Sequence, residues 1–340
     1  MTTLSPKQNS AVAAGIRRAV FITGSLGSIT AMLIHIYGVM NMMTFTLTVC
    51  LPLCMAMLAV WLWARSADDD EFLCALRCGF WGGVWGTIGY DLARLPFHGH
   101  YNLFGAIRFY GMWLCDEPAS SAVTDAAGMV YHFSNGITFG WLYALVALRR
   151  HWAWALVWGL LLESLAVFTV FGEVFAIRGA GLALVLAYAA HLAYGWPLGM
   201  ICQNPERAAP WTNASGRWLA GLLVVTIFVW FSQAWQPQPS KPSAGGSITL
   251  HDKGFYPGVA EVEHGSSIRL VNDQQQPVTF VFRRVAQGKG AVSETFDLNA
   301  GQAMSLPVDQ CGLHQLVARD KPFRSVLVMC SRDGEYTNAK

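Results

Sequence analysis

Apolar residues run almost without interruption through the first two thirds of this sequence, then give way past Gln236 to short alternating segments. A stretch of about 20 apolar residues is what a helix needs to cross a hydrocarbon core, whereas alternation over four to eight residues marks a strand with one buried face. The first pattern predicts helices at Ile16–Tyr37, Met43–Trp63, Cys74–Leu95, Ala126–Leu148, Trp152–Phe171, Gly179–Cys202 and Arg217–Trp235. The second predicts strands from Ser247 to Cys330, among them Ser267–Asn272, Val278–Arg284 and Gly312–Ala318. The chain therefore reads as a polytopic α-helical membrane bundle of about seven spans over residues 1–235, a linker at 236–246, and an all-β sandwich of seven or eight strands over 247–340. The linker is rich in Pro, Ser and Gly and predicts a semi-flexible tether. The loop Phe97–Thr124 contains an aromatic stretch, Tyr101–Trp113, that predicts an amphipathic helix lying flat in the membrane interface.

Composition agrees with a bilayer as solvent. Only 13% of the residues are charged and 54% are hydrophobic, against about 25% charged in a soluble domain. A net charge of +2 offers no electrostatic footprint for nucleic acid. The fourteen Trp suit interfacial belts. In the seven-span reading, Lys7, Arg17, Arg18, Arg65, Arg77, Arg149, Arg150, Arg207 and Arg217 fall on one side, and Arg94, Arg108 and Arg178 on the other. The basic side is expected to be cytoplasmic. The N-terminus is then inside, the β domain lies outside the plasma membrane, and the first span acts as a retained anchor. Of the eight cysteines, Cys311 and Cys330 are a candidate disulfide in the outer domain.

Ionisable residues at membrane depth are costly and mark candidate sites. Here they are His35, Asp91, His132, Glu163 and His191. Val84-Trp85-Gly86 precedes Asp91, and Val157-Trp158-Gly159 precedes Glu163; the following span in each case carries His-x-x-x-Gly-x-x-x-Gly, as His132, Gly136, Gly140 and as His191, Gly195, Gly199. That spacing puts the His and both glycines on one helix face, where small residues let backbones approach. The echo suggests a duplicated hairpin. Three chemistries fit the set: a Zn, Fe or Mn site of imidazole and carboxylate, with Cu also among the metals expected in the membrane part, haem held axially by His132 and His191, or a proton relay. The plainer alternatives are an Asp91–Arg94 ion pair at i, i+3 and interhelical hydrogen bonds from the histidines. Met40, Met42 and Met43 beside His35, the pairs Cys50/Cys54 and Cys74/Cys78, and the loop pair His98/His100 are further soft-metal or metal-collecting candidates, or simple packing and turn residues. Glu173 and Arg178 are expected to pair at the surface. No nucleophile elbow, phosphate loop, zinc-protease helix or haem-attachment motif is present, which argues against a hydrolase or ATPase and leaves no catalytic residue to name.

Phe255 and Pro257, then Gly265, the strand ending in Asn272, and the Ala300-Gly301 turn within Leu298–Leu306 give Ser247–Ser331 a resemblance to the cupredoxin family, in particular the extracytoplasmic type of bacterial iron and copper uptake systems. The resemblance implies a bacterial inner membrane, a periplasmic β domain and a part in copper or iron handling, with a periplasmic metal-handling or redox protein as partner. Blue-copper members supply a His after the Asn-ended strand and Cys, His and Met from a C-terminal loop. Here those places hold Pro277-Val278-Thr279-Phe280 and Ala318–Arg324, without such ligands, so blue copper is not expected. His251, His264, His314 and Met304 are what a non-standard site would have to use. The expected function is transition-metal handling or transport with the β domain docking or sensing. The alternatives are a haem-binding electron-transfer protein and a non-catalytic subunit of a larger complex.

Overall fold

A computed structural model describes residues 6–36, 39–97, 105–116, 121–169, 171, 181–234, 247–251, 254–256, 259–263, 265–284, 293–309, 312–318 and 325–331. His98, His100, Glu173, Arg178, the linker, His264, Cys311 and Arg319–Arg324 lie outside these residues, so the expectations placed on them do too.

The helical part comprises α1 (Pro6–Ile36), α2 (Met42–Ser66), α3 (Asp70–Arg94), α4 (Gly105–Cys115), α5 (Ala122–Ala147), α6 (Ala153–Phe168), α7 (Leu182–Gln203) and α8 (Ala214–Ala234). Their starts are written in short polar residues. Asn41 accepts from the Met43 and Thr44 N–H groups, Asp69 accepts from Phe72 N–H, and Ser121 forms a reciprocal capping box with Thr124. Within α2, Thr46–Cys50 forms a π turn in which Leu51 N–H reaches back to Thr46 O; Pro52, which has no N–H to offer, follows at once.

Among the described residues three helical segments are long and apolar enough to cross a membrane: Ala11–His35, Met42–Ser66 and Leu184–Gln203. Ala153–Phe168 and Ala214–Val229 are apolar but shorter. Helices α3 and α5 form where spans were expected, yet α3 is central. It packs on α5 with one face and on α7 with another, and glycines rather than large apolar residues fill both contacts. The expected interfacial helix differs more. It forms at Gly105–Cys115, but Ile107, Arg108, Phe109, Tyr110, Met112 and Trp113 are all buried. Gly111 and Gly128 let α4 close onto α5, and Arg108 pairs with Asp125 at 3.2 Å instead of reaching for a headgroup. That contact holds α4 against protein.

Among the described residues the β part has nine strands: β1 (Ser247–His251), β2 (Gly254–Tyr256), β3 (Val259–Glu263), β4 (Ser267–Asn272), β5 (Val278–Arg284), β6 (Ser293–Leu298), β7 (Ala303–Pro307), β8 (Gly312–Ala318) and β9 (Ser325–Ser331). The strand beyond the expected seven or eight is the short β2, which turns back on β1. One sheet runs β2-β1-β4-β7 and the other β3-β9-β8-β5-β6; the β1–β4 and β3–β9 pairs are parallel and the rest antiparallel. Alternate residues Ile248 and Leu250, Ile268 and Leu270, and Val278, Phe280 and Phe282 meet in one apolar core.

Asn272 pins the turns at one end of this sandwich. It is fully buried, its Nδ2 donates to the carbonyls of Gln276 (3.0 Å), Leu298 (2.9 Å) and Asn299 (3.2 Å), and its Oδ1 accepts from Gln274 N–H at 3.1 Å. Its backbone O accepts from Gly301 N–H at 2.8 Å, and Gly301 sits at φ +71°, third in the Asn299–Gln302 turn, where a Cβ is disfavoured. Asn272→Ala leaves these carbonyls without their shared donor. It is expected to cost the β domain about 2–4 kcal/mol, read as faster amide exchange across β4–β7 with the helical part unaffected; protection equal to wild type would show that the hub is dispensable.

Candidate functional site

The geometry of the site begins with glycines. On α3, Gly79, Gly83, Thr87 and Asp91 share one face at intervals of four, and α5 opposes them with Gly140, Gly136 and His132. A Cβ on Gly83 would lie 2.5 Å from Gly136 O, and one on Gly140 would lie 2.2 Å from Gly79 O. The helix axes therefore come close enough for a short carboxylate to reach across. Asp91, with no exposed surface, receives Arg94 Nη2 at 2.9 Å and His132 Nε2 at 3.1 Å from each of its oxygens. The i, i+3 ion pair expected from the sequence is thus present, with His132 as its third member.

The second hairpin repeats the design. On α6, Ala155, Gly159 and Glu163 face Gly199, Gly195 and His191 of α7; a Cβ on Gly159 would lie 2.3 Å from His191 O and one on Gly195 2.3 Å from Ala155 O. Glu163 is buried, and its Oε2 lies 3.0 Å from His191 Nδ1, which is also 3.0 Å from Ala187 O. Its other oxygen, Oε1, is buried without a hydrogen-bond partner. The acid-to-glycine register here corrects one element of the sequence echo. Gly159 packs on the histidine-bearing helix, whereas Gly86 packs on Tyr194 of α7 and not on α5. Trp85 donates to Trp211 O at 2.9 Å, while Trp158 Nε1 has no partner. The Val-Trp-Gly triplets are therefore out of step by one residue, and the counterparts are Asp91 with Glu163 and His132 with His191.

Tyr90 joins the two pairs. Its ring centroid lies 5.9 Å from that of His132 and 4.8 Å from that of His191, and the Arg94 guanidinium stands 4.1 Å over its face. Carboxylates engage His132 at Nε2 and His191 at Nδ1, so in the neutral rings the N–H groups lie on those nitrogens and the lone pairs on His132 Nδ1 and His191 Nε2. Sequence reading passed over Tyr90 and the sharing of Arg94, although both flank Asp91 in the chain. It also missed the buried Arg108–Asp125 pair, because Asp125 falls one residue before the predicted span.

The other candidates are placed elsewhere. His35 Nδ1 accepts from Met42 N–H at 3.2 Å and its ring packs on Trp113 at 4.7 Å, which makes it a cap for the start of α2. Met42 is fully buried while Met40 and Met43 are exposed, so the three methionines do not face one point. Cys50 donates to Gly27 O at 3.4 Å, and Cys50, Cys54, Cys74, Cys78 and Cys202 are free thiols. In the β part, His314 stacks on Phe282 at 5.2 Å in one sheet, and the half-exposed Met304 lies in the other. Val278 and Phe280, where the resemblance drawn from the sequence would place a first copper ligand, are core residues. Among the described residues no three His, Cys, Asp or Glu side chains are grouped to hold one ion.

No protein-family model and no curated protein matches the chain. Solved structures that resemble it include a reduced Cu(I) form of an amicyanin mutant at pH 4, 16% identical over 26% of this chain and 82% of that one with a TM-score of 0.23. Another is a purple cupredoxin from Nitrosopumilus maritimus, 18% identical over 25% and 99%, with a TM-score of 0.22. Likenesses of this size assign neither family nor copper chemistry to the present chain.

Asp91→Ala removes the carboxylate that Arg94 and His132 share inside the bundle, and removing one member of a buried charge pair costs about 3–5 kcal/mol. The thermal midpoint should fall sharply, whereas Gly221→Ala, in open space on α8, should leave it unchanged. Gly195→Leu should separate α6 from α7 and match or exceed the Asp91 effect; a midpoint within experimental error of wild type for either buried-site variant would contradict the packing described.

Proposed function

We propose that this chain is a multi-pass plasma-membrane protein that handles a transition-metal cation, copper or iron, through the two carboxylate-oriented histidines of its helical part. The observation that carries this reading is the arrangement of His191. Glu163 and Ala187 O engage Nδ1 and fix the tautomer, so Nε2 is presented as a lone-pair donor, as in metal sites where an outer carboxylate aims the ligating imidazole. His132 is aimed by Asp91 in the same way through the opposite nitrogen. Imidazole suits Cu, Fe and Zn alike. In this reading the carboxylates orient the ligands, and the remaining coordination positions belong to water or to the cargo's own ligands. Asp91 is balanced by Arg94, while Glu163 keeps one buried oxygen without a hydrogen-bond partner.

The seven spans of this reading are α1, α2, α3, α5, α6, α7 and α8, with α4 enclosed on one side. The excess of Lys and Arg at the other side supports a cytoplasmic N-terminus and an extracytoplasmic β domain. With core residues in place of copper ligands, that domain serves to dock or sense a periplasmic metal-handling or redox partner. The haem alternative has a specific obstacle: His132 offers Nδ1, the nitrogen beside its own Cβ, to which a flat macrocycle has poor access, and Tyr90 lies against both rings.

Metal analysis of the purified full chain tests this. The wild type should retain Cu, Fe or Zn after equilibration and washing. His191→Ala should abolish retention, and Glu163→Gln should weaken it by about 10–100-fold, the usual cost of losing an orienting carboxylate. Equal retention in wild type and His191→Ala for all three metals would refute the site. A Soret band lost in His132→Ala and in His191→Ala would replace it with haem.

A further inference from the structure

Helix α2 leans on α1, with Gly24 admitting the Met57 side chain and Cys50 reaching Gly27 O, and stands away from α3 and α5. The gap is a groove of 1540 Å³ that runs along α2 from Thr46 to Arg65. At about 1.5 Å per residue this is close to the thickness of a hydrocarbon core. Its walls are Leu58 and Trp61 of α2, Phe80 and Trp81 of α3, and Val130 and Trp141 of α5. Such walls give water too few partners to stay. Its charged side chains gather at one end: Arg65, Arg77 and Arg149 with Asp70 and Glu71. Glu71 is engaged by Arg18 at 2.9 Å and Arg149 by Glu206 at 2.7 Å, while Asp70 sits in the first turn of α3, where the helix dipole favours it. Arg65 lies 5.7 Å over Trp61, and among the described residues neither Arg65 nor Arg77 is paired with a carboxylate.

We propose that this groove binds a phospholipid with an anionic headgroup, its acyl chains along the aromatic walls and its phosphate between Arg65 and Arg77. The proposal rests on the membrane reading above and adds to it a lipid site remote from the two histidines. Basic pockets between helices on the cytoplasmic side are where anionic headgroups bind. A second copy of the chain is the competing occupant of this gap, and the test below separates the two.

The test uses the full chain purified in detergent and titrated with phosphatidylglycerol or phosphatidylcholine, read by native mass spectrometry and thermal unfolding. Phosphatidylglycerol should bind at least tenfold more tightly and raise the midpoint. Arg65→Gln combined with Arg77→Gln changes two exposed side chains; it should leave the lipid-free midpoint unchanged and reduce the preference to twofold or less. Thr138→Trp, which fills the groove, should remove tight binding of both lipids. Equal affinity for the two lipids, an undiminished preference in the double variant, or a stable dimer that retains no lipid would each overturn the proposal. Carbonate extraction separates its failure from that of the membrane reading. A chain released from membranes by carbonate defeats both, whereas a chain that stays in the membrane and shows no lipid preference defeats the groove alone.

Discussion

Backbone-to-backbone approach at two glycine-lined faces is the constraint on which the helical part depends. Helices in a bilayer gain nothing from hiding apolar surface from lipid, so their association has to come from close packing and from polar bonds between them. The α3–α5 and α6–α7 contacts supply both in order. Glycines close the distance over two turns, and one turn further on a carboxylate from one helix meets an imidazole from the other. Neither component works without its partner. Asp91 is too short to reach His132 across an ordinary helix spacing, and a buried Asp91 without His132 and Arg94 would be a net penalty.

The two pairs are built alike and charged differently. Arg94 bonds Asp91 and also stacks on Tyr90, so one end of the cluster carries a guanidinium. Among the described residues Glu163 is bonded by His191 and by no guanidinium, and it keeps one carboxylate oxygen unpartnered. Tyr90, touching both imidazoles, makes the two ends parts of one assembly, so a change of charge at His191 is felt where the ring also meets Arg94.

Much of this architecture could be read from residue order because it depends on local periodicity. The strands of the β part, with their alternating Ile248/Leu250 and Val278/Phe280/Phe282, and the His-x-x-x-Gly-x-x-x-Gly faces follow from spacing alone. Pairings across helices do not. Asp91 and His132 are separated by the whole of α4 and its connections, and nothing in the order of residues says that Tyr90 touches two histidines or that His35 is spent capping α2. The Val-Trp-Gly echo misled because a tripeptide match ignores which face of the helix meets which neighbour. The aromatic segment that forms α4 looked interfacial because its periodicity is amphipathic; that Gly111 meets Gly128 is a tertiary fact.

The π turn in α2 has a further meaning for how this chain tolerates change. A turn of that kind stores one residue more than an α-helix of the same rise, and the stored residue lies between Thr46 and Cys50, upstream of the face formed by Met57, Val60 and Ala64. Length is therefore adjustable there at little structural cost. Loss of a single codon in this stretch would relax the wide turn into regular helix and leave the packed faces before and after it in phase, whereas the same loss a few residues later would rotate Met57 out of its seat against Gly24 by about 100°. The segment is a one-residue slack in an otherwise tightly registered bundle.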